Sequence, residues 1–183
     1  MLVDPCAIGY WSAIRHWNWT EQIPRIVYVQ TTRRKSAKRS EIFGVSYEFV
    51  TVGERKFYGL VTQWRSGKPV QVTSREKTLV DCADDVARAG TVEELAKAVR
   101  SGVAEISWPT LDGYVERFPN GAVAKRLGYL FETLVPDLST EAETVLASWR
   151  NKLSKGVAPL EPLRPRRGKI DTRWRVLVNA RLG

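Results

Sequence analysis

Histidine, cysteine and methionine are almost missing from this chain. Its 183 residues hold one histidine, His16, two cysteines, Cys6 and Cys82, and one methionine. A lone histidine cannot furnish a Ser-His-Asp or Cys-His constellation together with its partners, nor a histidine-based metal site. Two cysteines build neither a disulfide framework nor a four-ligand zinc centre, and such sparing use fits a reducing, cytoplasmic setting. No apolar run nears the roughly 20 residues that a membrane helix needs. Met1-Leu2-Val3-Asp4-Pro5 has neither the basic nor the apolar region of a secretory leader. Walker, G-x-G-x-x-G, H-E-x-x-H and G-x-S-x-G patterns are absent as well. The expectation is a non-enzymatic protein with no cofactor and no membrane partner.

Positive charge is what the chain has in excess. Lys and Arg number 29 against 20 Asp and Glu, a formal net charge of +9. The excess is local. Residues 1–90 carry +5, residues 91–163 carry −2 and residues 164–183 carry +6. Two segments supply it: Arg33-Arg34-Lys35-Ser36-Ala37-Lys38-Arg39, and the tail from Arg164 to Gly183. Cations clustered this way are the electrostatic mark of a polyanionic partner, although charge also sits cheaply on any solvated surface.

Composition divides the chain at about residue 90. Ile8 to His16 reads as a short helix. Arg25–Gln30, Val45–Phe49, Phe57–Trp64 and Val70–Val72 are rich in β-branched and aromatic residues and read as strands. Thr31–Ser40 reads as a loop or hairpin tip. The short spacings predict antiparallel pairing. From Thr73 the apolar period becomes helical. Thr73-x-x-Glu76, Thr91-x-x-Glu94 and Thr140-x-x-Glu143 fit capping boxes, in which a hydroxyl caps free amides and the glutamate reaches back. Leu79, Ala83 and Val86 share one helix face, as do Val92, Leu95, Ala96 and Val99. Leu111, Val115 and Phe118 form a third stripe, Val123, Leu127, Phe131 and Leu134 a fourth, and Ala142, Val145, Leu146, Trp149 and Leu153 a fifth. Residues 155–169 read as extended. Trp174–Asn179 reads as a final strand whose partners would lie in the N-terminal sheet. The expected fold is α+β: a β-rich lobe over residues 1–90, then a helical lobe over 91–183 ending in the basic tail.

Chemical candidates are few. Asp81 and Asp85, four apart on a predicted helix, could share a Mg²⁺ ion, or simply form a solvated face. Glu54-Arg55-Lys56 matches the E-x-K half of a metal-dependent nuclease, with no acidic partner upstream on a strand. His16 reads as a structural or surface residue. Most of the seven tryptophans read as core; Trp174, between two arginines, is the one that could stack on a base.

Four segments, taken in order, resemble a known family. Ile8-Gly-Tyr-Trp-Ser-Ala-Ile14 with Trp19-Thr-Glu-Gln-Ile-Pro24 is similar to the opening of the antitoxin domain of AbiEi-family proteins. Val72-Thr-Ser-Arg-Glu-Lys-Thr-Leu-Val-Asp81 resembles that domain's helix start, and Ala124-Lys-Arg-Leu-Gly-Tyr-Leu-Phe-Glu132 a later helix. Residues 159–162 with Trp174–Asn179 resemble its ending. The winged-helix domain that usually precedes it in the family has no counterpart after Met1. Asn18 stands where the family often has Gly, and asparagine tolerates a positive φ. The resemblance implies an antitoxin of a type IV toxin–antitoxin system, associated with abortive infection against phage. Its functional partner would be a nucleotidyltransferase toxin, with or without a stable complex.

Read with the charge, this implies a basic acting surface: Arg33, Arg34, Lys35, Lys38, Arg39, Arg164, Arg166, Arg167, Lys169, Arg173 and Arg175. DNA or RNA are further candidate partners of that surface. A nucleic-acid-binding regulatory module with no antitoxin role is the alternative reading. A nuclease using Glu54 and Lys56 is a more distant one.

Overall fold

Among the described residues, six strands and six helices follow one another in the order β1 (Cys6–Ile8), α1 (Tyr10–His16), β2 (Ile26–Thr31), β3 (Arg39–Ile42), β4 (Val45–Thr51), β5 (Leu60–Arg65), β6 (Lys68–Thr73), α2 (Arg75–Asp84), α3 (Val92–Gly102), α4 (Trp108–Arg117), α5 (Ala122–Leu134) and α6 (Thr140–Asn151). Three short strands then close the chain: β7 (Ala158–Pro159), β8 (Lys169–Asp171) and β9 (Val176–Val178). The computed structural model describes residues 4–35 and 37–182. Met1–Val3 of the segment read for a leader, Ser36 of the basic loop, and Gly183 lie outside them. The fold is α+β, as the pattern predicts.

The large sheet is mixed rather than antiparallel, with strand order β3-β4-β2-β1-β6-β5. Each hairpin is antiparallel, as a two-residue connection demands. The parallel pairs arise from how the hairpins are inserted. β4, not β3, lies beside β2, and β6, not β5, lies beside β1. Strand period then divides the residues. Gln30 and Val50 are paired neighbours on the face that the helices cover, and Val29 and Phe49 occupy the other face.

One apolar core runs from Tyr10 and Ile14 through Leu79, Leu95, Leu111, Leu127 and Phe131 to Trp174 and Val176. Every predicted helix stripe contributes to it; Leu134 and Leu153 pack at its margin. The caps are shifted from the predicted ones. Ser74, not Thr73, caps α2, accepting from the Lys77 amide at 3.2 Å. Ser139, not Thr140, caps α6. Serine stands directly before the helix in both cases, and threonine one place off gives the same three-residue spacing signal. Thr91 does cap α3, yet Glu94 does not reach back: it accepts from Thr20 Oγ1 at 2.6 Å and Gln22 Nε2 at 3.1 Å.

The final strand does not join the N-terminal sheet. β9 pairs with β7 and β8 in a separate three-stranded sheet that packs on α5. Trp174 holds it there. The indole is buried against Gly128, where an added Cβ would fall 2.1 Å from the ring. Trp174 is therefore a core residue and presents no face for a base. Asn18 adopts φ 60°, the conformation that its place in the turn requires.

Candidate functional site

The basic loop borders a cleft of about 510 Å³ beside the end of β4. Arg34, Lys35 and Lys38 form one wall; Tyr10, Lys56, Asp84, Asp85 and Arg88 form the other. The second wall is built where α2 ends. Asp85 is the residue that terminates the helix, and its carboxylate accepts from Arg88. Arg88 also reaches Glu48 on β4 at 3.3 Å. Lys56, from a 3₁₀ turn over Glu54–Lys56, pairs with Asp84 at 2.5 Å, and Asn120 donates to the same carboxylate at 2.7 Å. The acidic groups of the cleft are thus matched by cations of the same wall.

Behind this wall lies a buried ion pair. Lys77 donates to Asp81, which also accepts from Gln30 Nε2 at 2.6 Å. Burial lowers the Lys77 pKa against the pull of Asp81, and burial raises Asp81 against the pull of Lys77. Tyr10 at the floor of the cleft is raised by burial and by the nearby Asp81 charge. Burial also raises the Cys82 thiol well above its ordinary value, which leaves it protonated and unreactive.

These contacts correct two expectations. Asp81 and Asp85 neither share a solvated face nor converge on an ion: Asp81 is buried against Lys77, and Asp85 lies past the helix end. Among the described residues, no three His, Cys, Asp or Glu side chains gather to hold a metal. Glu54 and Lys56 sit on a 3₁₀ turn, with Lys56 committed to Asp84. His16 is a half-buried surface residue at 2.9 Å from Arg65, its pKa lowered by burial and by the charges of Arg65 and Arg75.

The two basic segments differ in what they touch. Arg33, Arg34 and Lys38 are exposed and form no ion pair with a described residue. Lys35 lies over the Phe49 ring at 3.5 Å, and Arg39 pairs with Glu48 at 3.0 Å. The tail is bound to its own protein instead. Arg164 pairs with Glu93 at 2.9 Å. Arg173 makes two hydrogen bonds to Glu132, at 2.7 and 3.0 Å. Arg175 donates to the carbonyls of Leu153 and Ser154, and Arg166 reaches that of Val157. Arg167, Lys169 and Arg181 remain as exposed cations of the tail whose side chains have neither an ion pair nor a hydrogen bond to a described residue. The cleft is lined by three loop cations and by no tail residue.

The sequence does not single out Arg88, and it offers Lys56 only as part of an E-x-K pattern, not as a neighbour of the basic loop. Arg88 and Lys56 lie far from the basic cluster in sequence, and only packing of α2 against the sheet brings them opposite it. Arg126 is a further hidden cation: buried, it donates to the carbonyl of Ala83 at 2.7 Å and so satisfies the end of α2.

No protein-family model matches the chain, and neither does any curated protein. Among solved structures, the fold is similar to that of the Rv2827c protein from Mycobacterium tuberculosis, with a TM-score of 0.65 at 15% identity. The likeness covers 94% of this chain and 61% of that one, so the chain spans about three fifths of its neighbour's length. No helix among the described residues is long and apolar enough to cross a membrane.

Proposed function

We propose that this chain is an antitoxin that counteracts a nucleotidyltransferase toxin in the cytoplasm, without catalysis, through the basic surface of the Arg33–Arg39 loop. The observation that carries the reading is convergence. The segments that resemble the AbiEi antitoxin domain lie far apart in sequence, yet Tyr10, Ile14, Leu79, Leu127, Phe131, Trp174 and Val176 all enter one core. They read as the frame of a domain and leave the loop free to act. Within the basic set, Arg33, Arg34, Lys35, Lys38 and Arg39 are the acting residues. Arg164, Arg173 and Arg175 serve the tail's own docking, and Arg167 and Lys169 add charge at a separate place.

Growth rescue tests the reading. The chain is expressed with the nucleotidyltransferase encoded beside it, in cells that the toxin alone arrests. Resumed division is the expected result. The same chain with all five loop cations changed to serine is expected to fold and to fail. Rescue that persists in that variant overturns the role of the loop. Absence of rescue by the folded wild-type chain overturns the antitoxin reading for this chain.

A further inference from the structure

The two hairpins of the large sheet turn in the same way on different residues. β5–β6 turns through Ser66 and Gly67, with φ of 48° and 74°. β3–β4 turns through Phe43 and Gly44, with φ of 51° and 74°. Positive φ at both central positions is the pattern of a type I′ turn, which favours Asn, Asp or Gly at the first of them. A small polar residue meets that need in the first hairpin. In the second the position carries a phenylalanine, for which positive φ is costly. Its side chain is 101% exposed, so the fold gains no burial from it in return. The turn does not call for Phe43, and neither does the core.

We infer that the β3–β4 hairpin is a binding prong for single-stranded nucleic acid, with Phe43 stacking on an unpaired base and the neighbouring cations holding the phosphates. Charge selects this partner. Between residues 23 and 45 the chain has six cations and one carboxylate, Glu41. Arg39 begins β3 and Phe43 directly follows its last residue, Ile42; four residue steps at about 3.4 Å each set the two about 14 Å apart along one edge. The register puts Ile26 opposite Ser46, so Arg25 stands level with Val45 beside the tip. An aromatic face flanked by cations that follow a backbone is the common device for sequence-tolerant strand binding. The inference stands on the hairpin and its charges and does not rest on the antitoxin reading. The two fail separately, because strand binding and growth rescue are read in different assays.

The test is fluorescence anisotropy of the full chain with a fluorescein-labelled 12-nucleotide strand of mixed sequence, as DNA and as RNA, and with the DNA duplex. Both strands are expected to bind more tightly than the duplex, whose bases are already stacked. F43L is expected to weaken strand binding about 5-fold to about 150-fold, the worth of one base–aromatic stack, and F43W to retain it. R25S and R39S should each flatten the salt dependence. Tighter binding of RNA or of DNA supports the inference and names the source. F43N supplies an independent readout: it should raise Tm while losing the strand. Equal affinity of wild type and F43L, duplex binding as tight as strand binding, or no strand binding at 50 mM salt overturns the inference. A lower Tm in F43N overturns its premise that Phe43 is not kept for the fold.

Discussion

The basic loop and the basic tail are alike in composition and unlike in use. Both concentrate arginine and lysine, and a charge count cannot separate them. In the tail, guanidinium groups meet carboxylates and the backbone carbonyls of the segment that follows α6, and a buried tryptophan fixes the segment on α5. In the loop, four of the five cations meet no carboxylate of a described residue. A cation bound to its own protein is spent on docking a segment. One held over a cleft at the edge of a sheet is available to a polyanion. The number of charges on a surface therefore says less about partners than the number left unmatched.

The comparison can be broken most sharply at Trp174. Truncation by W174A empties the space against Gly128 and frees the three-stranded sheet; a loss of about 3–5 kcal/mol is expected. Denaturant unfolding measures it, and a loss under about 1 kcal/mol would mean that the tail docks by other means.

Glu132 comes next. It accepts from Arg150, Arg173 and the Trp174 indole. Burial alone would raise its pKa, but the hydrogen bonds of Arg173 and Trp174 and the charge of Arg150 outweigh it, and the net shift is below the ordinary value of 4.5. A carboxylate depressed on folding contributes stability above its unfolded pKa and loses it as pH falls through the folded one. E132Q is expected to cost about 1–3 kcal/mol at pH 7, from weaker charged hydrogen bonds. The gap between wild type and variant should then close below pH 4.5. Thermal unfolding from pH 7 to pH 3 checks this, and a gap of constant width would place the effect in packing rather than charge.

The exposed pair of Arg164 and Glu93 should matter less. R164S is expected to cost about 0–1 kcal/mol, and less in high salt. A stability effect no larger is expected at the loop. Serine at Arg33, Arg34, Lys35, Lys38 and Arg39 should change stability by no more than about 1 kcal/mol, the modest worth of the Arg39–Glu48 pair, while abolishing growth rescue. A large fall in Tm would make the loop structural, like the tail, and would erase the contrast between them.

Much of the frame is legible in the residues. The helix stripes are correct because a 3.6-residue period of apolar side chains has few other uses. Asn18 reads correctly as a residue that can take positive φ, since that answers a local steric need. The misreadings share one cause. Parallel pairing of β2 with β4 depends on which strand of a hairpin is set against its neighbour, and spacing does not encode that. Short β1 and β3 carry too few residues to show a period. Asp81 looks like a solvated acid until Lys77 and Gln30 are brought to it. Trp174 looks available to a base because its neighbours in sequence are arginines, whereas its neighbours in space are Gly128 and Glu132.

The sequence by itself determined the α+β class, the apolar stripes and the two sites of positive charge. All three follow from local composition and period, which need no knowledge of distant residues. The tertiary structure decided which charges are cancelled and which are left. Cancellation depends on carboxylates and carbonyls many residues away, such as Glu132 for Arg173 and Asp84 for Lys56. It also decided that Phe43 stands in open solvent on a turn that does not need it, because exposure is a property of the packed chain and φ a property of the turn it closes.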